Sequence, residues 1–364
     1  MISVTSQDRR HEIAFRVCAV PAGGVAMNRP LGVLVIGAGF IADAHIAALA
    51  TQPGARLAAL VDADPGRLAV AAHRNGGVYA TADLDEALAR EDVDAVIVCT
   101  PNDTHAAIAL RVAAAGKHLL VEKPLATTIA DAQAVAAAFA TAGLTLTAAH
   151  THRFYDYGRT VRRAIVSGEL GRVTLVRLAI LGGWIWPDWN AWVLDPARSG
   201  GHPLHNGVHL LDLATWWLGA EPRTVHARGA RVTSAALDID DHLEMVLTDE
   251  NGATAICEMS RAHRPGSFGH RDVLVAGTQG VLRLDWQDEA ALVVDEKGIT
   301  GLPATAADGF AVQLAAWLGA IAGEPPEMTA AEGVRAVALG VAAQRSIETG
   351  EPVDLDDLMT GAHT

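Results

Sequence analysis

The segment LGVLVIGAG, from Leu31 to Gly39, constrains the fold more than any other part of the sequence. Its nearly continuous apolar character is typical of a strand that is buried on both faces of a parallel sheet. Gly37 and Gly39 then lead directly into IADAHIAALA, an Ala-rich stretch with helical periodicity. The segment therefore predicts a strand, a tight glycine turn and a helix, which together begin a βαβ unit.

The same alternation of apolar runs and Ala-rich helical stretches continues to about residue 150. The further predicted strands are RLAALVD (56–62), VDAVIVCT (93–100), HLLVE (118–122) and LTLTAAH (144–150). Strands that alternate with helices in this way form a parallel, doubly wound sheet with right-handed crossovers. We therefore expect a Rossmann-type domain over residues 31–150.

The pattern changes after residue 150, where strand-like runs follow one another with few helices between them. Asn251-Gly252 separates two of these runs and predicts a tight hairpin. The predicted helices are Tyr157–Ser167, Leu204–Leu218, Phe310–Ile321 and Ala331–Thr349. Residues 151–364 are therefore predicted to form a second α/β domain with a large, mostly antiparallel open sheet, and its last helices are expected to pack back on the first domain.

Composition limits the partners of the chain. A net charge of −14 over 364 residues argues against a nucleic-acid or anionic membrane partner. No stretch reaches the roughly 20 apolar residues that a membrane-spanning helix needs. Cys18, Cys99 and Cys257 form no CxxC pair, which favours a reducing, cytoplasmic location and buried thiols. Residues 1–30 are expected to be a poorly ordered extension.

The glycine turn has the sequence of a dinucleotide-binding site. In GAGFIA (37–42), the first glycine permits the turn and Gly39 lets the backbone approach a pyrophosphate at the helix N-terminus. Asp62 ends the next predicted strand, where its carboxylate can accept both hydroxyls of an adenosine ribose. This favours NAD, because the carboxylate would repel a 2′-phosphate. NADP stays open, since residues outside the motif also decide cofactor choice, and Arg67 is expected on the helix surface.

Two short segments follow strands of the predicted parallel sheet. Thr100-Pro101-Asn102 ends one strand and Glu122-Lys123-Pro124 ends the next, so both are expected at the edge where such sheets bind ligands. Pro124 restrains the residue before it. Lys123 could hold a substrate hydroxyl or exchange a proton with it if burial lowers its pKa. The alternative is a surface lysine at a turn.

Five motifs in order over residues 31–350 carry a family resemblance: GAGFIA (37–42), TPNDTH (100–105), EKPLA (122–126), HRF (152–154) and SGGHPLHNGVHLLDLATWWLG (199–219). The sequence resembles the Gfo/Idh/MocA family, which includes glucose–fructose oxidoreductase and inositol dehydrogenase. The resemblance implies hydride transfer between a nicotinamide and a carbon of a sugar, cyclitol or similar polyol. It also implies a homodimer or homotetramer formed through the open sheet of the second domain.

The resemblance also assigns site residues. The family's EKP lysine corresponds to Lys123 and its GVH histidine to His209, which would exchange the substrate proton. His205 stands where family members often carry an aspartate, and with His209 it is expected on one helix face. It is a third candidate catalytic residue, because an imidazole can donate or accept a proton near neutral pH. The expected cofactor contacts are Gly37, Gly39, Phe40, Ile41, Asp62, Thr100, Pro101, Asn102, His105, Glu122 and Lys123. The expected substrate contacts are Lys123, Arg153, Trp192, His205, Asn206 and His209, with Asn102 helping to orient the substrate.

Other interpretations stay open at this point. His202, His205 and His209 could together bind a zinc ion, although Pro203 interrupts their spacing. Trp184, Trp186, Trp189 and Trp192 could face a sugar, or could pack in the core or at a subunit contact. The chain could also be a lyase or epimerase that reduces and restores its cofactor, or a nucleotide-bound sensor without turnover.

Overall fold

The structure is a computed structural model that describes residues 29–183, 192–231, 238–263, 269–285, 290–303 and 308–360. Residues 1–28 and Trp184, Trp186 and Trp189 fall outside these ranges, as do the predictions made for them. In the described part of the chain, no helix is both long and apolar enough to cross a membrane. Cys99 and Cys257 are both buried, as predicted.

A parallel sheet of six strands forms the first half of the molecule, as the sequence predicts. Its strands are β1 (Leu31–Ile36), β2 (Ala55–Val61), β3 (Tyr79–Thr81), β4 (Ala95–Val98), β5 (His118–Glu122) and β6 (Leu146–Ala149). The strand order is β3-β2-β1-β4-β5-β6. This order reverses between β1 and β4, which creates a crevice at the carboxyl ends of those strands. Only the short edge strand β3 was not predicted, because YAT carries no continuous apolar run.

Five helices connect these strands: α1 (Phe40–Ala50), α2 (Pro65–Arg74), α3 (Leu84–Leu88), α4 (His105–Ala114) and α5 (Ile129–Ala142). Their Ala-rich faces pack on a sheet core of Val, Ile and Leu side chains that are almost completely buried. Asp64, Asp83 and Thr128 cap α2, α3 and α5 by accepting hydrogen bonds from first-turn amides. Such caps satisfy donors that have no partner inside the helix.

The second half contains a mixed sheet of nine strands, most of them antiparallel, as predicted. These are β7 (Val173–Gly183), β8 (Pro222–Ala230), β9 (His242–Asp249), β10 (Thr254–His263), β11 (Gly269–Gly277), β12 (Gly280–Asp285), β13 (Ala290–Asp295), β14 (Gly298–Pro303) and β15 (Val353–Asp354). Their order is β14-β13-β12-β11-β7-β10-β9-β8-β15, and β10 and β7 are parallel. The predicted Asn251-Gly252 hairpin joins β9 to β10, with Gly252 at a φ of +79°. The last two strands were not predicted.

Six further helices complete the described fold: α6 (Asp156–Val166), α7 (Pro196–Ser199), α8 (Val208–Leu218), α9 (Gly309–Ile321), α10 (Ala330–Thr349) and α11 (Leu355–Thr360). Helices α6 and α8 cover one face of the nine-stranded sheet. Leu314 and Trp317 of α9, and Val334 and Val337 of α10, are buried in the cores of the first sheet. Side chains of α9 and α10 therefore pack against the six-stranded sheet.

The predicted helix Leu204–Leu218 differs from the observed one at its beginning. A π-helical turn spans Pro203–Gly207, and regular α-helix starts only at Val208. The expectation that His205 and His209 share one α-helical face is therefore wrong. The wide turn coincides with a hydrogen bond that the His205 carbonyl accepts from Lys123, a contact between the two halves of the fold.

Candidate active site

The glycine turn between β1 and α1 has the geometry that a bound pyrophosphate requires. Gly37 has a φ of +89°, and a Cβ there would lie 2.6 Å from the carbonyl oxygen of Cys99. Gly39 has no atom within 4 Å of a Cβ position and lines a cavity, so a side chain there would occupy the space above the first turn of α1. Backbone N–H groups at that helix end attract anions. The turn therefore fits the dinucleotide.

Asp62 lies just beyond β2, and its carboxylate links the glycine turn to the start of α2. Its Oδ2 accepts from the Ala38 amide at 2.7 Å and from Arg67 Nε at 3.0 Å. Its Oδ1 accepts from the Asp64 amide at 2.8 Å and from Arg67 Nη2 at 3.1 Å. Burial would raise the pKa of Asp62, but these bonds lower it below its usual value. Arg67 lies on the helix surface, with its side chain 52% exposed, but its guanidinium also pairs with Asp62 and lines the cavity, which was not predicted.

A histidine that does not line the cavity connects the turns after β4 and β5. The ring of His105 lies between two carbonyl oxygens, that of Pro124 at 2.7 Å from Nδ1 and that of Thr100 at 2.9 Å from Nε2. His105 is completely buried and is not among the residues that line the cavity. We therefore assign it to positioning these turns in place of the predicted cofactor contact.

Glu122 connects the same region to α1. Its Oε1 pairs with Nε2 of the buried His45 at 2.8 Å. Burial would raise the pKa of Glu122, but the hydrogen bond with His45 and the nearby Lys123 lower it. A carboxylate therefore remains beside Lys123 at neutral pH.

Lys123 occupies the centre of the cavity wall on a cis Lys123–Pro124 peptide. Its Nζ donates to the His205 carbonyl at 2.6 Å. Burial lowers the pKa of Lys123 to about 8, although Glu122 raises it, and Arg261 lowers it further. The amine can therefore gain or lose a proton near neutral pH, which a surface lysine cannot do.

His205 and His209 line the cavity from the second half of the chain. Asn102 donates from Nδ2 to the Ser199 carbonyl at 2.8 Å and contacts His205 Nδ1 at 3.2 Å, so this ring nitrogen acts as an acceptor. The ring of His209 stacks on that of His152, with centroids 4.1 Å apart. Burial brings the pKa of both cavity histidines well below the usual value, with a further lowering by Lys123 and His202 for His205, and by His152 and Lys123 for His209. Both rings are therefore neutral at pH 7.

The three histidines of the candidate zinc site have different surroundings. His202 Nδ1 hydrogen-bonds the Asp240 carbonyl, and burial lowers the pKa of His202 to about 4. His202 does not line the cavity with His205 and His209. Over the described ranges, no three His, Cys, Asp or Glu side chains are arranged to hold a metal ion. The geometry gives the metal-assisted alternative no support.

Arg153 also departs from its predicted role. Its side chain is only 1% exposed, with Nη2 2.7 Å from Asp212 Oδ1 and Nη1 2.8 Å from Glu332 Oε1. It does not line the cavity. We therefore assign Arg153 to joining α8 and α10 rather than to the substrate, and Asp212 braces it.

A cavity of about 810 Å³ joins these features, a size that suits a small-molecule site. The predicted residues that line it are Gly37, Gly39, Phe40, Ile41, Asp62, Thr100, Pro101, Asn102, Glu122, Lys123, Trp192, His205, Asn206 and His209. Trp192 presents its ring edge-on to His205, with centroids 5.4 Å apart. The cavity-lining residues that sequence reasoning missed include Cys99, Arg198 and Arg261.

Known proteins share this architecture. Residues 31–150 match the family model described as an oxidoreductase family with an NAD-binding Rossmann fold, and residues 159–283 match the GFO/IDH/MocA C-terminal domain. The chain is an oxidoreductase with an NAD-binding Rossmann domain. It belongs to the GFO/IDH/MocA family, as the sequence motifs indicated.

Individual relatives cover nearly the whole chain. Inositol 2-dehydrogenase 2 from Saccharopolyspora erythraea is 32% identical over 333 residues, which are 88% of this chain and 95% of that protein. Inositol 2-dehydrogenase from Rhizobium meliloti is 31% identical over 329 residues, or 86% of this chain and 96% of that protein. The crystal structure of GenD2 from gentamicin A biosynthesis, in complex with NAD, is 31% identical with a TM-score of 0.79, covering 91% of this chain and 98% of that one.

Proposed function

We propose that this protein is an NAD-dependent dehydrogenase that oxidises a hydroxyl-bearing carbon of a sugar, cyclitol or sugar derivative. The observation that carries the proposal is the position of Lys123, whose pKa is about 8, in the same cavity as the glycine turn for the dinucleotide. Two similar proteins are named inositol 2-dehydrogenases, and a third, from Ensifer adhaerens, is named 1,5-anhydro-D-fructose reductase. The proposed boundary between the two domains lies near residue 150.

The proposed mechanism uses the neutral side chains of the cavity. Bound NAD supplies the nicotinamide that accepts a hydride from the substrate carbon. Lys123, in its neutral form, takes the hydroxyl proton as the C–H electron pair leaves, so the alcohol becomes a carbonyl. The neutral His209 is a second group that can accept the hydroxyl proton. His205 and Asn102 orient the substrate. Water then receives the proton from Lys123.

Two alternatives make different predictions. A redox-neutral lyase or epimerase would restore its cofactor in each turnover, and one relative, 29% identical over 71% of this chain, is named 2,7-anhydro-N-acetylneuraminate hydratase. A nucleotide-bound sensor would turn nothing over. The burial of Lys123 among several neutral histidines costs desolvation free energy, and groups with pKa values perturbed in this way are typical of catalytic sites. We therefore favour catalysis over sensing.

Assembly and cofactor choice are part of the same proposal. Ile256, Leu292, Val294 and Ile299 are 40 to 72% exposed on strands of the nine-stranded sheet. An apolar sheet face of this kind is typical of a subunit contact, and we propose a homodimer or homotetramer through it, measurable by light scattering. Asp62 supports NAD over NADP, and a reducing cytoplasm stays the expected location.

The test is a turnover assay with NAD and a panel of polyols, followed by absorbance at 340 nm. Steady formation of NADH with at least one polyol is expected. Consumption of a substrate without net NADH would favour the redox-neutral alternative. Tight NADH binding, measured by fluorescence, without consumption of any substrate would favour the sensor.

A further inference from the structure

Arg261 is a charged residue at a position where the strand pattern calls for an apolar one. Ala255, Cys257 and Met259 alternate along β10 and are completely buried, and Arg261 continues the same face. Its side chain lines the cavity next to Lys123 and His209. Placing a guanidinium there costs desolvation energy.

The hydrogen bonds of Arg261 leave much of this cost uncompensated. A guanidinium has five N–H donors. Within the described residues, its side chain makes one hydrogen bond, from Nη2 to Asn206 Oδ1 at 3.3 Å. Its Nε is buried and has no acceptor there. Protein groups described in the structure therefore do not satisfy this side chain.

Three other arginines in or near the cavity each pair with a carboxylate. Arg67 pairs with Asp62 at 3.0 Å, Arg198 with Asp103 at 3.4 Å, and Arg153 with Asp212 at 2.7 Å. Arg261 has no Asp or Glu within ion-pair distance in the ranges that the structure describes. Arg261 therefore differs from these three arginines, whose charge a protein carboxylate already balances.

The charge of Arg261 acts on the whole group of proposed catalytic residues. Burial, and then the repulsion of Arg271, lower its own pKa to about 10. In turn, it lowers the pKa of Lys123, His205 and His209. The chain carries a net charge of −14, yet this part of the cavity is positive. A bound anion would relieve this repulsion.

We propose that Arg261 binds a carboxylate of the substrate, so that the physiological substrate is a sugar acid or another polyhydroxy acid. This inference rests on the proposed dehydrogenase function and narrows its substrate class. The planar guanidinium matches the two oxygens of a carboxylate with parallel N–H donors. Asn206 fixes one end of the guanidinium, and the proton and hydride steps remain those already described.

The experiment compares substrates that differ only in one group. Sorbitol, gluconate and sorbitol 6-phosphate are tested with NAD, together with glucose, glucuronate and glucose 6-phosphate. Carboxylates are expected to have the highest kcat/KM. Arg261→Gln should lower their kcat/KM by about 10- to 100-fold, mainly through KM, the effect of one charge-assisted hydrogen-bonded contact. Arg261→Lys should recover part of the lost kcat/KM, because it keeps the positive charge but lacks the two parallel N–H donors of the guanidinium.

A matched control is Arg172→Gln, which removes an exposed arginine just before strand β7, away from the cavity and from the proposed subunit contact. It should change no kcat/KM value. A second measurement does not need turnover: gluconate, but not sorbitol, should raise the melting temperature of the wild-type complex with NADH, and this shift should vanish in Arg261→Gln. NADH fluorescence titration shows that the variant is folded.

The outcomes separate this inference from the proposed function. Equal turnover of neutral polyols and acids, with no effect of Arg261→Gln, would overturn the carboxylate site and leave the dehydrogenase intact. Preference for the phosphorylated substrates would also overturn it. If no compound is turned over, a gluconate-specific melting shift that depends on Arg261 still supports the site, and its absence overturns it.

Discussion

Lys123 provides the sharpest prediction, because its environment sets a measurable pKa. Burial lowers this pKa from 10.5 to about 8, which corresponds to about 3 kcal/mol at 1.36 kcal/mol per unit. At pH 7 roughly a tenth of the lysine is then neutral, against roughly 0.03% for an unperturbed side chain. The protein therefore holds a usable amount of free amine at neutral pH.

The pH dependence follows from the neutral form being the base. In the direction of alcohol oxidation, log kcat/KM should rise with pH and level off above about 8, because deprotonated Lys123 accepts the hydroxyl proton. In the direction of carbonyl reduction, the protonated form donates, so the rate should fall above the same pH. The two profiles are measured at 340 nm across pH 6 to 10, a range of about two units on each side of that pKa.

Two substitutions test the assignment. Lys123→Met should lower kcat/KM by about 100- to 10,000-fold, the range typical of a lost general base, and abolish the inflection near pH 8. Lys123→Arg keeps the charge but cannot lose its proton in this range, so it should be equally impaired. NADH affinity, measured by fluorescence, serves as the control for folding. If the Lys123→Met enzyme kept both the wild-type kcat/KM and the inflection near pH 8, Lys123 would not be the general base.

The remaining predictions concern stability and the cofactor. Asp212→Ala should lower the free energy of unfolding, measured by urea titration, by about 3 to 5 kcal/mol, because it leaves the buried guanidinium of Arg153 without this partner. As a control, Glu327→Ala removes the exposed ion pair with Arg159 and should lower the same free energy by less than about 1 kcal/mol. Arg67→Ala should lower KM for NAD and widen its preference over NADP, because it frees Asp62; an unchanged KM ratio would contradict this. The pKa of His202 is about 4 in the folded state, below the usual 6.5, so unfolding takes up a proton and the free energy of unfolding should fall as the pH drops from 6.5 to about 4. Urea denaturation of the wild type and of His202→Asn at both pH values measures this fall. An equal fall in both proteins would show that His202 is not its cause.

Local patterns predicted the parallel sheet and much of the second one, because buried strands and Ala-rich helices have distinct periods. They missed β3, β14 and β15. Strands β3 and β15 have only two or three residues, and pairing with neighbouring strands rather than their own hydrophobicity determines them. The π-helical turn at Pro203–Gly207 was equally invisible, because it depends on contacts with a different part of the chain.

Short sequence motifs pointed to cavity residues, whereas roles that depend on contacts between distant parts of the chain left no local pattern. Glycine turns and the EKP segment identified Gly39 and Lys123 correctly as cavity residues. The role of Arg153 depends on carboxylates 59 and 179 residues away, which no local pattern reveals. Arg261 did leave a signal, since it extends the apolar face of β10, but only a known partner strand makes its inward direction certain.

In the proposed mechanism, a hydride leaves the substrate carbon for NAD while Lys123 takes the hydroxyl proton. The most direct measurement uses a substrate from the active panel that carries deuterium on the reacting carbon. One deuterium is expected in each NADH formed, with a slower rate than that of the protiated compound. Deuterium released to water, or retained in a product formed without net NADH, would contradict it.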